Sequence, residues 1–301
     1  MNLSKPSWRR KENAMAYLMT VPALLPYLLF NLIPILWAVY ISFTYYDGYT
    51  SPTFAGLDNY MLAFKDSEWW SSVMNTMIFA FGKLIIEVPL ALIMAVILNE
   101  AVRGKSWFRA IFFMPHVTSM AVMGLIFFFI FRPLNGILNG ILEMLHLIGD
   151  PIDYLGQPFT AMVSVIIVAV WHGFGINMIL FLAGLQTIPR DVYESASIDG
   201  ANAAEKLWYI TIPMLGSILK IVTMLMIVWT LKSFDLIKVL TDGGPFGSTE
   251  VMFTYIFNYF FGSSYGSQYG YGSALGVIAT VIIAIITLVY HRWTRNLKSH
   301  T

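Results

Sequence analysis

The stretch Pro189-Arg-Asp-Val-Tyr-Glu-Ser-Ala-Ser-Ile-Asp-Gly-Ala201, followed by Ile210-Thr-Ile-Pro213, is polar, rich in small residues, and flanked on both sides by long apolar runs. Pro189 can occupy the first position of a helix, and Asp199-Gly200 is typical of the turn that ends one. Because the side chains are small, two short helices joined here would be thin enough to enter a groove on another protein. The stretch therefore predicts a helix-turn-helix that a partner contacts. The alternative is a loop that only connects two apolar segments.

The charged and amide residues of this stretch indicate where its helices begin. Asp191 places a negative charge near the positive end of the first helix dipole. Asn202, followed three residues later by Glu205, is typical of a capping box at the start of a second helix. That second helix then leads through Pro213 into the next apolar run.

The composition indicates a membrane protein. Of the 301 residues, 57% are hydrophobic and only 12% are charged, whereas a soluble domain has about 25% charged residues. The net charge of +1 gives no basic field for nucleic acid. The chain has no cysteine, which excludes disulfides, thiolate metal sites and cysteine nucleophiles.

Six apolar stretches are long enough to cross a bilayer, which takes roughly 20 helical residues. They show no period-2 alternation, so the sequence predicts an all-α polytopic membrane protein rather than a barrel. The stretches lie near residues 15–43, 72–98, 107–131, 159–185, 212–236 and 271–291. We expect one membrane-embedded domain over 15–291, between tails at 1–14 and 292–301, with the polar loop at 186–211. The first stretch is too long for the core of a cleaved signal peptide, so we expect it to be retained.

The distribution of lysine and arginine predicts the orientation in the membrane. With both termini and the 186–211 loop inside, 12 of the 18 basic residues lie on the inner side, as the positive-inside rule favours. These are Lys5, Arg9, Arg10, Lys11, Arg103, Lys105, Arg109, Arg190, Lys206, Arg292, Arg295 and Lys298. The sequence therefore predicts a multi-pass membrane protein with cytoplasmic termini.

Charged residues inside apolar stretches are costly and often functional. Lys83 and Glu87 have the i,i+4 spacing of a helical ion pair, and we expect them to neutralise each other. Lys232 and Asp235 are expected to pair or to reach the membrane surface. His116 and His172 have no carboxylate or second histidine at ligand spacing, so we expect packing or pore-lining roles and no metal site. No cofactor site and no nucleophile–base set is apparent.

The run Tyr193-Glu-Ser-Ala-Ser-Ile-Asp-Gly-Ala201 resembles the "EAA" loop of binding-protein-dependent ABC importer permeases. Leu185-Gln-Thr-Ile-Pro189, Leu240-Thr-Asp-Gly-Gly-Pro245 and Gly270-Tyr-Gly-Ser-Ala274 are similar to segments of the maltose-type sugar permeases. The chain has Glu-Ser-Ala where the family has Glu-Ala-Ala. The resemblance implies the ABC type I importer transmembrane fold, with six helices and a cytoplasmic coupling helix-turn-helix. It also implies that the protein lies in a bacterial plasma (inner) membrane.

By this resemblance the loop docks in a cleft of a cytoplasmic ATPase. The implied coupling residues are Tyr193, Glu194, Ala196, Asp199 and Gly200. The resemblance also implies four kinds of partner: a second homologous permease subunit, two ABC ATPase subunits, an extracytoplasmic solute-binding protein and a carbohydrate substrate. The Gly243–Thr249 turn lacks the Gly-Lys-Ser/Thr end of a phosphate loop, so ATP hydrolysis would fall to the partner.

The resemblance places the sugar path on the helices before and after the loop. Aromatic faces, amides and hydroxyls suit a sugar. The candidate residues are Trp171, Gly173, Asn177, Met226, Trp229, Thr230 and Ser233, and helix packing is the alternative role for each.

Three alternatives to an oligosaccharide permease stay open. A glycerol-3-phosphate permease of the same family would carry a charged substrate, and no basic cluster favours it. An ion-coupled secondary transporter would need an ionisable relay, and a membrane enzyme would need a catalytic cluster.

Overall fold

A computed structural model describes residues 7–100, 104–262 and 268–296. The basic residues Lys5, Arg103 and Lys298, and the last residues of the predicted C-terminal tail, lie outside these ranges. The chain divides into two compact units, Met1–Lys65 with Asn258–Ile278, and Asp66–Phe257 with Ala279–Thr301.

The first unit contains the N-terminal span and a small hairpin. Its elements are α1 (Ser7–Tyr27), a π-helical turn (Leu28–Leu32), α2 (Ile33–Ser42), strands β1 (Thr44–Tyr45) and β2 (Thr53–Phe54), and α3 (Asp58–Lys65). The strands are antiparallel, with Thr44 opposite Phe54. Buried Asn59 donates from Nδ2 to the carbonyl oxygens of Ser42 and Thr44, at 3.0 and 2.9 Å, which ties α3 to the end of α2.

The hairpin loop is held by one carboxylate. Asp47 accepts hydrogen bonds from the backbone N–H groups of Tyr49 and Thr50 and from the Thr50 hydroxyl. The Thr50 and Tyr49 amides stabilise the ionised form and lower the pKa of Asp47 to about 2. The turn therefore depends on an ionised carboxylate at Asp47, whose side chain is half-buried.

The second unit contains the long helices and the polar loop. Its elements are α4 (Ser67–Asn99), α5 (Lys105–Val117), α6 (Met120–Ile130), α7 (Ile137–Met144), α8 (Pro158–Leu185), α9 (Arg190–Ile198), α10 (Ala203–Lys206), a π-helical turn (Leu207–Thr211), α11 (Ile212–Met214), α12 (Gly216–Leu231) and α13 (Asp235–Leu240). Two further helices, α14 (Met252–Phe261) and α15 (Tyr269–Trp293), contribute to both units, and a 3₁₀ turn (Thr294–Asn296) follows them.

Within the described residues, four stretches are helical, apolar and long enough to cross a membrane: Tyr17–Ile41, Ser67–Asn99, Pro158–Leu185 and Tyr269–Trp293. The other two predicted spans are bent pairs. The α5–α6 pair bends by 95°, and Ala203–Met214 meets α12 at 77°. If each pair is counted as one span, the total is six.

Local backbone geometry accounts for the two bends. Thr118 and Ser119 have extended backbones, with ψ near 139°, so the helical hydrogen-bond ladder ends there. At the second bend Leu215 has ψ −1°. A hydropathy pattern averages over such single residues, so each pair looks continuous in sequence.

Helix α8 is the most buried long helix of the second unit, since 72% of its apolar window is inside the structure. Small residues bring its neighbours close. A Cβ on Gly175 would lie 1.9 Å from the Phe112 carbonyl oxygen of α5. A Cβ on Gly82 of α4 would lie 2.7 Å from Ile166 Cδ1 of α8. Helix α8 therefore packs between α4 and α5, and its backbone approaches that of α5 directly.

The Gly-rich loop between α13 and α14 is a rigid turn. Thr249 donates from Oγ1 to the Gly244 carbonyl oxygen at 2.6 Å, and Asn75 of α4 donates from Nδ2 to the carbonyl oxygens of Gly247 and Glu250. Burial raises the pKa of the Glu250 carboxyl group. At the tip, Phe246 has φ +52° and is 96% exposed.

Candidate functional site

The polar stretch forms the predicted helix-turn-helix, and its first helix ends in a Schellman motif. The Ala201 N–H donates to the Ala196 carbonyl oxygen at 2.9 Å, and the Gly200 N–H donates to the Ser197 carbonyl oxygen at 3.2 Å. Gly200 has φ +84°, a left-handed conformation that glycine adopts without steric cost. Glycine is required here because the chain must reverse directly after α9.

The second helix begins with the predicted capping box. Asn202 Oδ1 accepts from the Glu205 N–H at 3.0 Å, and Glu205 Oε2 accepts from the Asn202 N–H at 2.7 Å. The Lys206 ammonium group donates to Ser197 Oγ at 2.8 Å, which joins the two helices. The turn therefore has a defined shape that its own residues maintain.

The five candidate coupling residues occupy different environments. Glu194, Asp199 and Gly200 are exposed and available to a partner. Tyr193 is half-buried, and its hydroxyl lies 3.0 Å from Thr211 Oγ1. Ala196 is only 9% exposed, so its methyl group lies inside the turn and not on its outer surface. The predicted close approach of Ala196 to a partner thus has no exposed side chain to support it.

Exposed apolar side chains around the turn were not among the predicted coupling residues. Ile198 is 86% exposed, Trp208 66% and Tyr209 80%. Large apolar residues within a polar amphipathic segment are the signal that could have identified them. A cleft of about 450 Å³ lies beside these helices, between the ends of α4 and α8. It is lined by Val96, Asn99, Glu100, Leu185, Arg190, Tyr193, Glu194, Ala203, Lys206, Leu207 and Thr211.

A buried polar network joins α4, α8 and α12. The predicted Lys83–Glu87 ion pair is confirmed, with 2.9 Å between Lys83 Nζ and Glu87 Oε2 and side-chain exposures of 9% and 0%. Asn177 donates from Nδ2 to Glu87 Oε1 at 2.7 Å. Lys83 donates to Thr230 Oγ1 at 3.1 Å. Gly173 leaves the space for the carboxylate, because a Cβ there would lie 2.5 Å from Glu87 Oε1.

The other candidate path residues lie outside this network. Met226 is 1% exposed and belongs to an apolar cluster of α4, α8 and α12. Trp171 and Trp229 are 43% and 54% exposed, so their rings are available to a ligand, lipid or another subunit. Ser233 is half-buried just beyond the end of α12. The structure thus brings Gly173, Asn177 and Thr230 together but does not bring the tryptophans to them.

The two histidines of α5 and α8 are neighbours. Their ring centroids are 5.1 Å apart, and His172 Nε2 lies 3.0 Å from the Thr118 carbonyl oxygen at the break between α5 and α6. Sequence spacing could not predict this contact, because His116 and His172 are distant in the chain. No group of three or more metal-ligating His, Cys, Asp or Glu residues occurs in the described ranges.

The expected Lys232–Asp235 pair is absent. The structure contains no salt bridge between these two side chains, and both are exposed. Helix α12 ends at Leu231 and α13 begins at Asp235, so the two residues do not share a helix. The pairing predicted from the spacing is wrong because it assumed a continuous helix; the alternative, that both side chains reach the membrane surface, stays a prediction.

Comparison with known proteins identifies the family. The family described as "binding-protein-dependent transport system inner membrane component" has a sequence model that matches residues 87–300 of this chain. The trehalose/maltose transport system permease protein MalF of Thermococcus litoralis is 35% identical over 241 residues, covering 79% of this chain and 81% of that protein. The lactose transport system permease protein LacF of Rhizobium radiobacter is 34% identical over 256 residues, covering 84% and 85%.

A solved structure shares the fold. It is a chain of a bacterial alginate ABC transporter, crystallised in complex with an alginate pentasaccharide-bound periplasmic protein. The TM-score is 0.84, the two chains cover 99% of each other, and the sequence identity is 22%. The family match agrees with the observed fold, which has long apolar helices with a helix-turn-helix between them. The chain belongs to the binding-protein-dependent transport system inner membrane components and has the type I transmembrane fold of ABC importers.

Proposed function

We propose that this chain is the permease subunit of an ABC importer that carries a carbohydrate, in particular an oligosaccharide, across the plasma membrane. Relatives named for trehalose/maltose and lactose transport support this substrate class. The buried network adds a chemical argument. The charge of Lys83 is balanced by Glu87, so this network offers no free cation to a phosphate substrate. A neutral sugar fits better than glycerol 3-phosphate.

The observation that carries the proposal is the capped helix-turn-helix of α9 and α10. It presents Glu194, Asp199 and Ile198 on a turn whose geometry its own hydrogen bonds fix. A rigid projection of this kind can pass motion between subunits without being deformed. We therefore assign it to docking on a cytoplasmic ATPase. The distribution of basic residues supports the same orientation, with the loop and both termini in the cytoplasm.

The proposed assembly contains this chain, a second related permease, two ATPase subunits and an extracytoplasmic binding protein. The binding protein delivers sugar to the outer side, and ATP binding to the ATPases moves the helix-turn-helix. That motion favours an outward-open arrangement of the spans, and hydrolysis restores the inward-open one. Because coupling free energy is reciprocal, substrate delivery also changes the ATPase subunits' affinity for ATP.

The sugar path remains a proposal on the faces of α8 and α12. Trp171 and Trp229 present exposed rings that can stack on the apolar face of a sugar. Gly173, Asn177 and Thr230 are engaged in the buried network, so we assign them to shaping the path rather than to contacting the substrate. Met226 supports the same helices from inside the core.

Co-purification of the ATPase subunits with this permease tests the proposal. We expect Glu194→Lys or Gly200→Asp to reduce both ATPase retention and binding-protein-dependent sugar uptake by at least tenfold. Glu143→Lys, at another exposed position, on α7, is the matched charge-reversal control and should leave both unchanged. Full ATPase retention and uptake in both loop variants would refute the coupling role. Uptake that persists without any ATPase would indicate a secondary transporter.

A further inference from the structure

We propose that Lys83 is a positioning residue that holds the far end of α12 against the α4–α8 pair through one hydrogen bond, which can be released without leaving a buried charge unpaired. This inference rests on the proposed function, because it assigns the bond to the resting state of the transport cycle. It concerns the link between helices and not contact with sugar.

The ion pair and the hydrogen bonds of this network differ in the free energy that is needed to break them. Lys83 and Glu87 lie on the same helix, α4, so their ion pair moves as a unit. Glu87 also accepts from Asn177 of α8, and the Gly173 backbone passes directly beneath the carboxylate. Separating α4 from α8 would leave a buried carboxylate without its amide donor. These two helices are therefore expected to stay together.

The contact with α12 is of another kind. Lys83 donates to the neutral hydroxyl of Thr230 at 3.1 Å, and Thr230 is 2% exposed. If Thr230 moves away, Lys83 keeps its partner Glu87 and no charge is stranded. A hydrogen bond from a charged donor changes an equilibrium by about tenfold or more. The bond can therefore hold one arrangement of α12 and still be broken during each cycle.

The position of Thr230 makes this bond sensitive to motion of the coupling loop. The helix-turn-helix leads into α12 through the 77° bend, and α12 begins at Gly216. Thr230 lies 14 residues further along, about 21 Å from the bend at 1.5 Å per residue. A tilt of about 10° at the bend would move Thr230 by about 4 Å, which exceeds hydrogen-bonding reach.

The test uses the complete transporter in liposomes, with its ATPases and its sugar-loaded binding protein. We expect Thr230→Val to raise ATP hydrolysis in the absence of sugar about tenfold, because the resting arrangement loses its link. The KM for sugar uptake should change less than twofold. Thr230→Ser keeps the hydroxyl and should restore the basal rate. Thr287→Val, which removes an intrahelical hydroxyl bond to the Ile283 carbonyl oxygen in α15, is the control and should leave it unchanged.

A second variant separates loss of the Lys83–Thr230 hydrogen bond from misfolding of the Thr230→Val protein. Lys83→Met/Glu87→Gln removes both charges and keeps an acceptor for Asn177, so it should assemble and reproduce the raised basal rate of Thr230→Val. A basal rate equal to wild type or lower in both variants would overturn the proposal. A KM raised severalfold with normal basal hydrolysis would make Thr230 a substrate contact instead, and would also overturn it. Wild-type uptake that needs neither ATP nor a binding protein would refute the proposed function itself.

Discussion

Replacing Gly173 with alanine should destabilise the chain, because the added methyl group occupies the space of the Glu87 carboxylate. The Cβ would lie 2.5 Å from Glu87 Oε1, whereas ordinary van der Waals contact begins at 3.4 Å, so the carboxylate must retreat by about 0.9 Å. A shift of that size directed away from Asn177 lengthens the 2.7 Å Asn177–Glu87 hydrogen bond to about 3.6 Å, which breaks it. The substitution therefore removes a charge-assisted bond and overpacks the α4–α8 contact.

The expected magnitude follows from three terms. Loss of a hydrogen bond to a charged group costs about 1.5–3 kcal/mol. Overpacking a well-packed interior costs about 1–3 kcal/mol. Alanine regains about 1 kcal/mol of helix propensity over glycine. The three terms sum to a fall of about 1.5–5 kcal/mol in the free energy of unfolding, and partial relaxation lowers the upper limit to about 4 kcal/mol.

The assay is unfolding of the purified permease by SDS titration in mixed micelles, followed by circular dichroism. Gly140→Ala in α7 is the matched control, since a Cβ there meets no heavy atom within 4 Å and should leave stability unchanged or slightly higher. Gly173→Ala/Glu87→Asp should recover part of the loss because the shorter side chain withdraws from the methyl group. A Gly173→Ala variant as stable as wild type would refute the reasoning.

Three further predictions concern the polar loops. Gly200→Ala forces a left-handed backbone on alanine, at a cost of about 1 kcal/mol, so amide exchange in the turn should accelerate about fivefold; unchanged protection would contradict this. Asn202→Ala removes the capping box formed with Glu205. The free energy of opening of the second helix, measured by amide exchange, should fall by about 1 kcal/mol, and Asn202→Asp should restore it. The folded-state pKa of Asp47 lies below its ordinary 3.8, so the stabilisation of its turn is present above that value and is lost as pH falls through about 2. Protection of the Thr50 amide should follow that titration, and in Asp47→Asn it should no longer change with pH.

Features set by neighbouring residues could be predicted from the sequence. The capping box of Asn202 and Glu205 and the ion pair of Lys83 and Glu87 each depend on residues three or four apart on one helix. The left-handed turn at Gly200 follows from the absence of a side chain. Such signals are local and need no knowledge of how helices pack.

Features set by packing between helices could not be predicted from the sequence. The approach of Asn177 and Thr230 to the ion pair depends on the rotation of α8 and α12 about their axes, which their own sequences do not determine. The contact between His116 and His172 depends on the bend after α5, which is invisible in an apolar run. The failure of the Lys232–Asp235 pairing has the same origin, because a helix end changed which side chains face each other.

The bend between α5 and α6 divides the third span between two sets of neighbours. Helix α5 lies against α8 where Gly175 meets the Phe112 carbonyl oxygen, and α6 lies against α13 where Gly124 would bring a Cβ within 3.1 Å of the Leu236 carbonyl oxygen. Neither half is long enough to cross the bilayer alone, since 13 and 11 residues span about 20 and 17 Å. The consequence is a membrane crossing built of two segments with different main neighbours: α5 packs against α8, the helix that precedes the α9–α10 turn, and α6 packs mainly against α13.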